Sequence, residues 1–322
     1  MLTVLLATRN GSQTLPNTLE AFTRLDAPSS GWKLVVIDNG STDGTREIIK
    51  SFRTRLPLTY TYEAQPGRNA ALNTGLAHVE GDLVVITDDD IYPHQDWLIR
   101  LRAAADERRD YLMFGGAIIP CWQVTPPDWL KWVDQRVAFA KTDFADGPIH
   151  LGFLFGGNLA IRADVFRCGA RFNTSIGPCG KSYAMGSETE LLMRLGREGH
   201  KGWHVRNAVV EHFVWDYQMT QSWVLDRAIR FGRGRFRISK AAGGPPVWCW
   251  RGMPLELLLR LAKKAAKRVI ARLRFSEHAV FMARWEFNYL FGQLIEARLM
   301  RQEERAQVQG SPGSRCDHEI GM

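Results

Sequence analysis

The sequence predicts an α/β protein built on a mostly parallel central sheet covered by helices on both faces. Two observations carry that expectation. Within residues 1–120, four short, continuously apolar, β-rich runs alternate with segments of helical periodicity. This is the pattern of parallel strands joined through crossover helices and buried from both sides. Three of the runs end in polar residues, Thr8-Arg9-Asn10, Asp38-Asn39-Gly40 and Asp88-Asp89-Asp90, at the carboxyl ends where open α/β sheets hold ligands. The three loops are expected to share one crevice.

Leu2–Ala7 reads as the first strand and Thr14–Leu25 as its helix. The apolar start is too short for a signal segment and lacks a basic flank, and no charge-free apolar stretch is long enough to span a bilayer. A cytoplasmic protein is expected. Lys33–Ile37 and Thr45–Phe52, Leu58–Tyr62 and Asn69–His78, then Leu83–Thr87 and Gln95–Ala105 repeat the strand-helix alternation. Residues 121–150 turn aromatic and Pro-rich, which predicts an irregular excursion over the crevice mouth. Leu151–Asn158 is expected to return as a strand, with Gly156 and Gly157 permitting close backbone approach. Helical periodicity resumes at Ser187–Glu198, and a last strand-like run, Ala208–Val210, leads into Glu211-His212. The expected organisation is a domain over 1–215, a basic helical region over 216–304 and a disordered tail over 305–322.

A chain of 322 residues, 45% hydrophobic and 24% charged, can bury a large core without covalent staples. Five cysteines, an odd number with no Cys-x-x-Cys, suggest neither a disulfide framework nor a zinc site and fit a reducing compartment. Of the net charge of +8, residues 227–240 contribute six basic and no acidic side chains, and 251–275 eight basic against Glu256 alone. The rest of the chain is therefore net acidic.

Strand alternation sends Asp88 and Asp90 to one side and Asp89 away. An Asp-x-Asp pair can hold Mg2+ or Mn2+ with positions left open for diphosphate oxygens. Taken alone, the run reads more simply as a solvated turn capping the next helix, so its company decides. Asp38, at a strand end, can accept from the ring N–H of a uracil-like base, while Thr42 or Asp43 caps the helix that follows.

That company resembles a known family. Ala7-Thr8-Arg9-Asn10, the run from Val35 to Thr45, Gly67-Arg68-Asn69 through Gly75, Thr87-Asp88-Asp89-Asp90-Ile91-Tyr92-Pro93 and Gly186-Ser187-Glu188-Thr189-Glu190-Leu191 are similar, in order and spacing, to the motif series of family-2 glycosyltransferases of the GT-A fold. The resemblance covers roughly residues 1–215, and it implies a nucleotide-binding half over about 1–120 and an acceptor half over about 121–215. It implies that Thr8, Arg9 and Asp38 line the nucleotide base, that Arg68 and Asn73 approach the donor, that Asp88 faces the ribose or the metal's waters and that Asp90 ligates Mn2+ or Mg2+. His212 stands where related enzymes can carry a metal or diphosphate contact, although a histidine at a strand end is as often a satisfied polar residue. Gly157 and Asn158 resemble the acceptor-side loop.

Glu188 falls where the family carries its catalytic carboxylate, but the usual Glu-Asp-Thr-Glu is Ser187-Glu188-Thr189-Glu190 here. At helical spacing Glu188 and Glu190 point about 200° apart, so only one can face the crevice, and the other is left as an acceptor-side or surface group. Sugar transfer needs this inventory, a cation on the leaving diphosphate and a base for the acceptor hydroxyl. The resemblance thus implies a metal-dependent, inverting glycosyltransferase that uses a nucleotide-sugar, UDP-linked first among the candidates, and a glycan or lipid-linked acceptor in cell-surface polysaccharide or glycoconjugate synthesis. A sugar-phosphate nucleotidyltransferase would call for a Gly-rich basic loop at Thr8–Leu15, which is absent. A basic nucleic-acid-binding module would rest on 227–275 alone, with no standard recognition motif, and no nucleic-acid partner is expected.

Residues 255–274 are amphipathic. Leu258, Leu259, Ala262, Ala265, Ala266, Val269 and Leu273 share one face and Arg260, Lys263, Lys264, Lys267 and Arg274 the other, with Leu257 and Leu261 outside the apolar arc. Such a helix either lies on an anionic membrane at the inner face of the cell or docks its apolar face on the protein. The arginines Arg227, Arg230, Arg233, Arg235 and Arg237 are placed to meet phosphates of donor or acceptor.

Overall fold

The computed structural model describes residues 1–180, 183–243, 249–250, 253–273 and 276–310. The chain opens with β1 (Leu2–Thr8), α1 (Leu15–Phe22), β2 (Trp32–Asp38), α2 (Thr45–Ser51), β3 (Leu58–Tyr62), α3 (Arg68–Gly75) and β4 (Leu83–Thr87). It continues through β5 (Ile91–Pro93), α4 (Trp97–Glu107), β6 (Met113–Trp122), α5 (Gln135–Phe139), β7 (Gly147–Ile149), β8 (Leu159–Arg162), α6 (Asp164–Arg167), α7 (Ser187–Arg197) and β9 (Gly202–Val214). Three helices follow, α8 (Gln221–Ala241), α9 (Leu255–Leu273) and α10 (Glu277–Gly310).

The main sheet runs β3-β2-β1-β4-β8-β6-β9-β5, with β7 also pairing β9. β3, β2, β1 and β4 are parallel, as expected, while β8 lies antiparallel between β4 and β6. Strands β1 and β4 are apolar on both faces because both are covered. Leu2, Val4, Leu6, Val85 and Phe22 build one core, and Leu5, Val84, Ile86, Leu159 and Leu192 build the other. Each such side chain fully withdrawn from water contributes about 1.5–3 kcal/mol.

Leu151–Asn158 is not the returning strand. It forms a short 3-10 turn and a loop, and the strand begins only at Leu159. The last strand is longer than expected, because β9 pairs with β6 on both sides of an irregularity between Gly116 and Ala117. A side chain at Gly116 would strike the Ala208 carbonyl, with a Cβ only 2.0 Å away. Asn158 fills that break, its amide donating to the Ala117 and Ala208 carbonyls at 2.9 and 2.8 Å.

Helices α8 and α10 cross closely, since a Cβ on Gly232 would lie 1.9 Å from the Tyr289 carbonyl oxygen. Gly232 and Gly234 are therefore packing positions on α8. Arg233 and Arg237 donate to Glu296, a fully buried carboxylate, at 2.7 and 2.5 Å, and Arg237 also reaches Glu303. Trp129 and Trp132 pack against Phe281 of α10. Helix α10 runs on to Gly310, beyond the point at which a tail was expected, and 311–322 lie outside the described residues.

Helix α9 turns its other side to the protein. Leu257 and Ala271 are buried, Lys264 and Lys267 donate to Glu286 at 2.9 and 3.0 Å, and the Arg268 guanidinium lies over Phe287. Of the two placements open to it, the apolar arc does not dock on the protein, since Leu259 is 57% and Val269 61% exposed, joined by Leu255 and Ile270. Arg274 lies outside the described residues. Among the described residues no helix is long and apolar enough to cross a membrane.

Candidate active site

A crevice of about 870 Å³ opens beyond the ends of β1 and β4 and is walled by α5, the 150–157 loop, the start of α7 and α8. Thr8, Arg9, Arg68, Asp88, Asp90, Gly157, Glu188 and His212 all line it. Eight positions scattered between residues 8 and 212 thus meet in one place, as the motif series implies.

The aspartates divide their partners. Asp88 accepts from Arg68 Nε and Nη2 at 2.9 and 2.6 Å. Asp89 does not turn away. Its Oδ2 accepts from the Thr8 hydroxyl at 2.5 Å on the wall of the crevice. Because β4 ends at Thr87 and the backbone turns toward β5, the two-residue alternation of a strand no longer governs these side chains. Burial, reinforced by the charge of Asp90, pushes the Asp89 carboxyl up to about 7 even though Thr8 hydrogen bonds to it. Asp90 Oδ1 is buried and has no hydrogen-bond partner, while Oδ2 sits 3.3 Å from His212 Nε2.

His212 is oriented from behind. Its Nδ1 lies 3.1 Å from the Phe139 carbonyl, which can only accept, so Nδ1 carries the proton and Nε2 points at Asp90. Burial alone would depress this imidazole, but the nearby Asp90 charge and hydrogen bond outweigh it and raise its pKa. An orphaned carboxylate oxygen beside an imidazole with its rear nitrogen tied to a carbonyl is a donor set that suits a divalent cation. Among the described residues no group of three or more metal-binding side chains converges, so two protein ligands are what Asp90 and His212 can supply.

Glu188 enters at the first turn of α7. Gly186, at φ +109°, makes the entry, and a side chain there would press on Ile238 of α8 at 2.8 Å. The Glu188 carboxylate lies 3.8 Å from Arg68 Nη1, so one guanidinium stands between Asp88 and Glu188. Burial would lower the Arg68 pKa, and the charges of Asp88 and Glu188 raise it instead. Ser187, in place of the family's usual acidic residue, is buried and hydrogen bonds to Asn69.

Four expected site residues are employed elsewhere. Asn73 clamps the 172 loop, donating to the Phe172 carbonyl and accepting from the Phe172 amide, both at 2.9 Å. Asn158 fills the β6–β9 irregularity and accepts from Trp97 Nε1. Glu190 points to the far side of α7, where Arg194 holds it at 3.1 Å. Asp38 is 2% exposed, with Ser41 N–H donating to one oxygen at 2.9 Å and the Tyr60 hydroxyl to the other at 3.2 Å. Its neighbour Asn39 lines the crevice and accepts from Gly67 N–H at 2.7 Å, fixing the start of α3 and so Arg68. Residue type alone did not single out Asn39. Phe139, Tyr183, Trp223 and Arg227 also line the crevice. The aromatic run at 121–150 was the signal for Phe139 and the arginine cluster at 227–237 the signal for Arg227, whereas Tyr183 and Trp223 had none.

A strand-end aspartate cluster and a helix-borne glutamate in one crevice of a twisted, mostly parallel sheet define the GT-A glycosyltransferase class. The chain belongs to glycosyl transferase family 2, whose family model matches residues 3–169. Glycosyltransferase AglE of Haloferax volcanii is 37% identical over 100 residues, 30% of this chain and 33% of that protein. Glucosyl-dolichyl phosphate glucuronosyltransferase of the same organism is 24% identical over 156 residues, 46% of this chain and 48% of that protein. The chain thus spans less than half the length of these curated relatives in the matched regions. The mannosyltransferase PcManGT of Pyrobaculum calidifontis, solved with GDP-Man and Mn2+, superposes with a TM-score of 0.61 at 20% identity, over 93% of this chain and 87% of that one. TarS of S. aureus superposes with a TM-score of 0.53 at 16% identity, over 91% of this chain and 54% of that one. At these identities the likeness is one of fold.

Proposed function

We propose that this protein transfers a sugar, with inversion, from a nucleotide-sugar to a hydroxyl-bearing glycan or lipid-linked acceptor, using Mn2+ or Mg2+. The observation that carries this reading is Asp90, with Oδ1 buried and unpartnered and Oδ2 beside His212, in the crevice that also holds Glu188. A UDP-sugar is the first donor to try, since TarS has been solved with UDP. Relatives named for dolichyl phosphate and undecaprenyl phosphate favour a lipid-linked acceptor.

Asp90 and His212 would hold the cation, which when bound neutralises charge on the leaving diphosphate. Thr8, Arg9 and Asp89 form the nucleotide wall, and Arg68 fixes the orientation of Asp88. Glu188 accepts the acceptor hydroxyl proton as that oxygen bonds to the anomeric carbon, and the bond from that carbon to the diphosphate oxygen breaks with its electron pair leaving on the nucleotide. Attack from the face opposite the leaving group inverts the centre.

The outward apolar stripe of α9, bordered by Arg260, Lys263 and Lys267, suits peripheral contact with an anionic membrane at the cytoplasmic face. The nucleic-acid reading loses support, because Glu296, Glu303 and Glu286 engage Arg233, Arg237, Lys264 and Lys267 within the protein.

Isothermal titration with UDP, GDP and dTDP, with and without Mn2+, tests the reading. Metal-dependent binding of one nucleotide, weakened roughly tenfold or more in H212A and lost in D90N, is expected. Absence of metal-dependent binding for all three in the wild type would overturn it.

A further inference from the structure

Helix α8 carries five arginines between residues 227 and 237, and their partners differ by the side they face. Arg233 and Arg237 meet Glu296. Arg230 lies over the rings of Tyr183 and Trp223, 5.5 and 5.6 Å from their centroids, and its buried Nε has no hydrogen-bond partner. Arg227 is different again. It lines the crevice together with Asp90, Glu188 and His212.

The Arg227 side chain is held at two points. Its Nε donates to the Val137 carbonyl at 2.9 Å, and its guanidinium lies 5.2 Å from the Trp223 ring centroid. Trp223 in turn stacks on Phe139, with an interplanar angle of 4°, and Phe139 is the residue whose carbonyl orients His212. The fork is therefore fixed on the scaffold that positions the candidate metal ligand. No carboxylate among the described residues forms an ion pair with Arg227, whereas Arg68 of the crevice and Arg233 and Arg237 of the α8–α10 contact each have one. Among the described residues, only Nε of its five N–H donors is engaged by a protein acceptor.

Arg227 is half-buried in the crevice, and a guanidinium partly withdrawn from water without a counterion carries a desolvation cost. Burial depresses the Arg227 pKa and the like charge of Arg230 depresses it further, with Tyr183, Glu188 and Asp90 partly offsetting the two. The two-point mounting leaves the Nη nitrogens as a preoriented pair of donors, the geometry that grips phosphate oxygens bidentately. The glutamate and aspartate that share the crevice do not approach closely enough to take them.

We propose that Arg227 is a phosphate-binding residue of the crevice, its Nη donors taking a phosphate oxygen of a substrate. This deepens the sugar-transfer reading and rests on it for the two sources of that phosphate. One is the diphosphate of the donor. The other is the phosphate of a lipid-linked acceptor.

Two titrations on the full-length protein separate them, one with inorganic pyrophosphate and Mn2+ and one with farnesyl monophosphate, each on wild type, R227K and R227Q. Charge-assisted hydrogen bonds of this kind lead us to expect a loss of roughly 10- to 100-fold in R227Q. R227K keeps the charge but not the Val137 bond or the planar fork, so it should lose less than R227Q. A loss confined to pyrophosphate assigns the donor phosphate, one confined to farnesyl monophosphate assigns the acceptor phosphate, and a loss in both places the guanidinium between them. Each supports the proposal. Affinities within twofold of wild type for both probes in R227Q would overturn it, as would a wild type that binds neither. Equal losses in R227K and R227Q together with a lowered melting temperature would assign Arg227 a structural role and also overturn it. Neither titration requires sugar transfer or nucleotide binding, so failure of the glycosyltransferase reading is seen separately in the UDP, GDP and dTDP experiment.

Discussion

Replacing Glu188 and Glu190 separately by glutamine should give opposite defects. Glu188 lines the crevice and its nearest cationic neighbour is Arg68 at 3.8 Å, too long for a strong hydrogen bond. E188Q keeps the side-chain shape but removes the proton acceptor. General-base catalysis contributes about 10²–10⁴ in rate, or about 3–5 kcal/mol at 1.36 kcal/mol per decade. The predicted result is a kcat reduced by that factor, with donor KM and melting temperature close to wild type. Glu190 is 7% exposed and accepts from Arg194 Nε and Nη2 at 3.2 and 3.1 Å. E190Q weakens those bonds, each worth about 1.5–3 kcal/mol when an ion takes part. With Arg194 one-third exposed to screening water, a net destabilisation of about 1–2 kcal/mol is predicted, with kcat retained. Steady-state release of nucleoside diphosphate from the donor that wild type turns over, together with urea denaturation, measures both. A hundredfold loss in E190Q beside an E188Q within a few-fold of wild type would refute the assignment of the base.

Two further outcomes follow from the carboxyl-terminal helices. E296Q should destabilise the protein by about 3–5 kcal/mol in urea denaturation, because it leaves two largely buried guanidiniums facing a neutral amide; a change below about 1 kcal/mol would show that the α8–α10 contact does not depend on that pair. The double variant L259E/V269E, which places charge on the exposed stripe of α9, should reduce co-sedimentation with phosphatidylglycerol vesicles by roughly tenfold or more while leaving nucleotide binding unchanged. Wild-type binding to those vesicles that persists in the variant would remove α9 as the membrane contact.

The amino-terminal sheet was legible because β1, β2 and β4 are buried on both faces and so appear as unbroken apolar runs. Their polar ends could be placed in one crevice without any structure. Which polar residue faces the ligand was not legible. Asn73 and Asn158 satisfy carbonyls that the 172 loop and the β6–β9 irregularity leave unpaired, and neither demand is visible until the chain is folded. Asp89 was assigned by strand alternation at a point where the strand had ended. For α9, the apolar arc left membrane contact and docking both open, and Glu286 and the Phe287 ring of α10 draw Lys264, Lys267 and Arg268 inward. Long basic side chains can cover apolar surface with their stems, so amphipathic pattern alone did not fix the orientation.

The basic character of residues 227–240 acquires its meaning from geometry. Positions 233 and 237 are four apart and so share one face of α8, which is the face turned to Glu296. Position 227 lies six residues before Arg233, about 240° away around the helix, and faces the crevice with Asp90 and Glu188. A single charge-dense helix can therefore bind α10 with one side and present an arginine to the crevice with another. The glycines between the arginines serve both ends. A Cβ on Gly232 would meet the Tyr289 carbonyl at 1.9 Å, and one on Gly234 would meet the Met185 carbonyl at 1.6 Å. Gly234 thus lets α8 press against the segment that delivers Glu188, and Gly232 lets α10 press against α8 from behind. The helix that reads as an electrostatic patch in sequence is, in the fold, the element that locks the α7 entry in place and carries Arg227 into the same crevice.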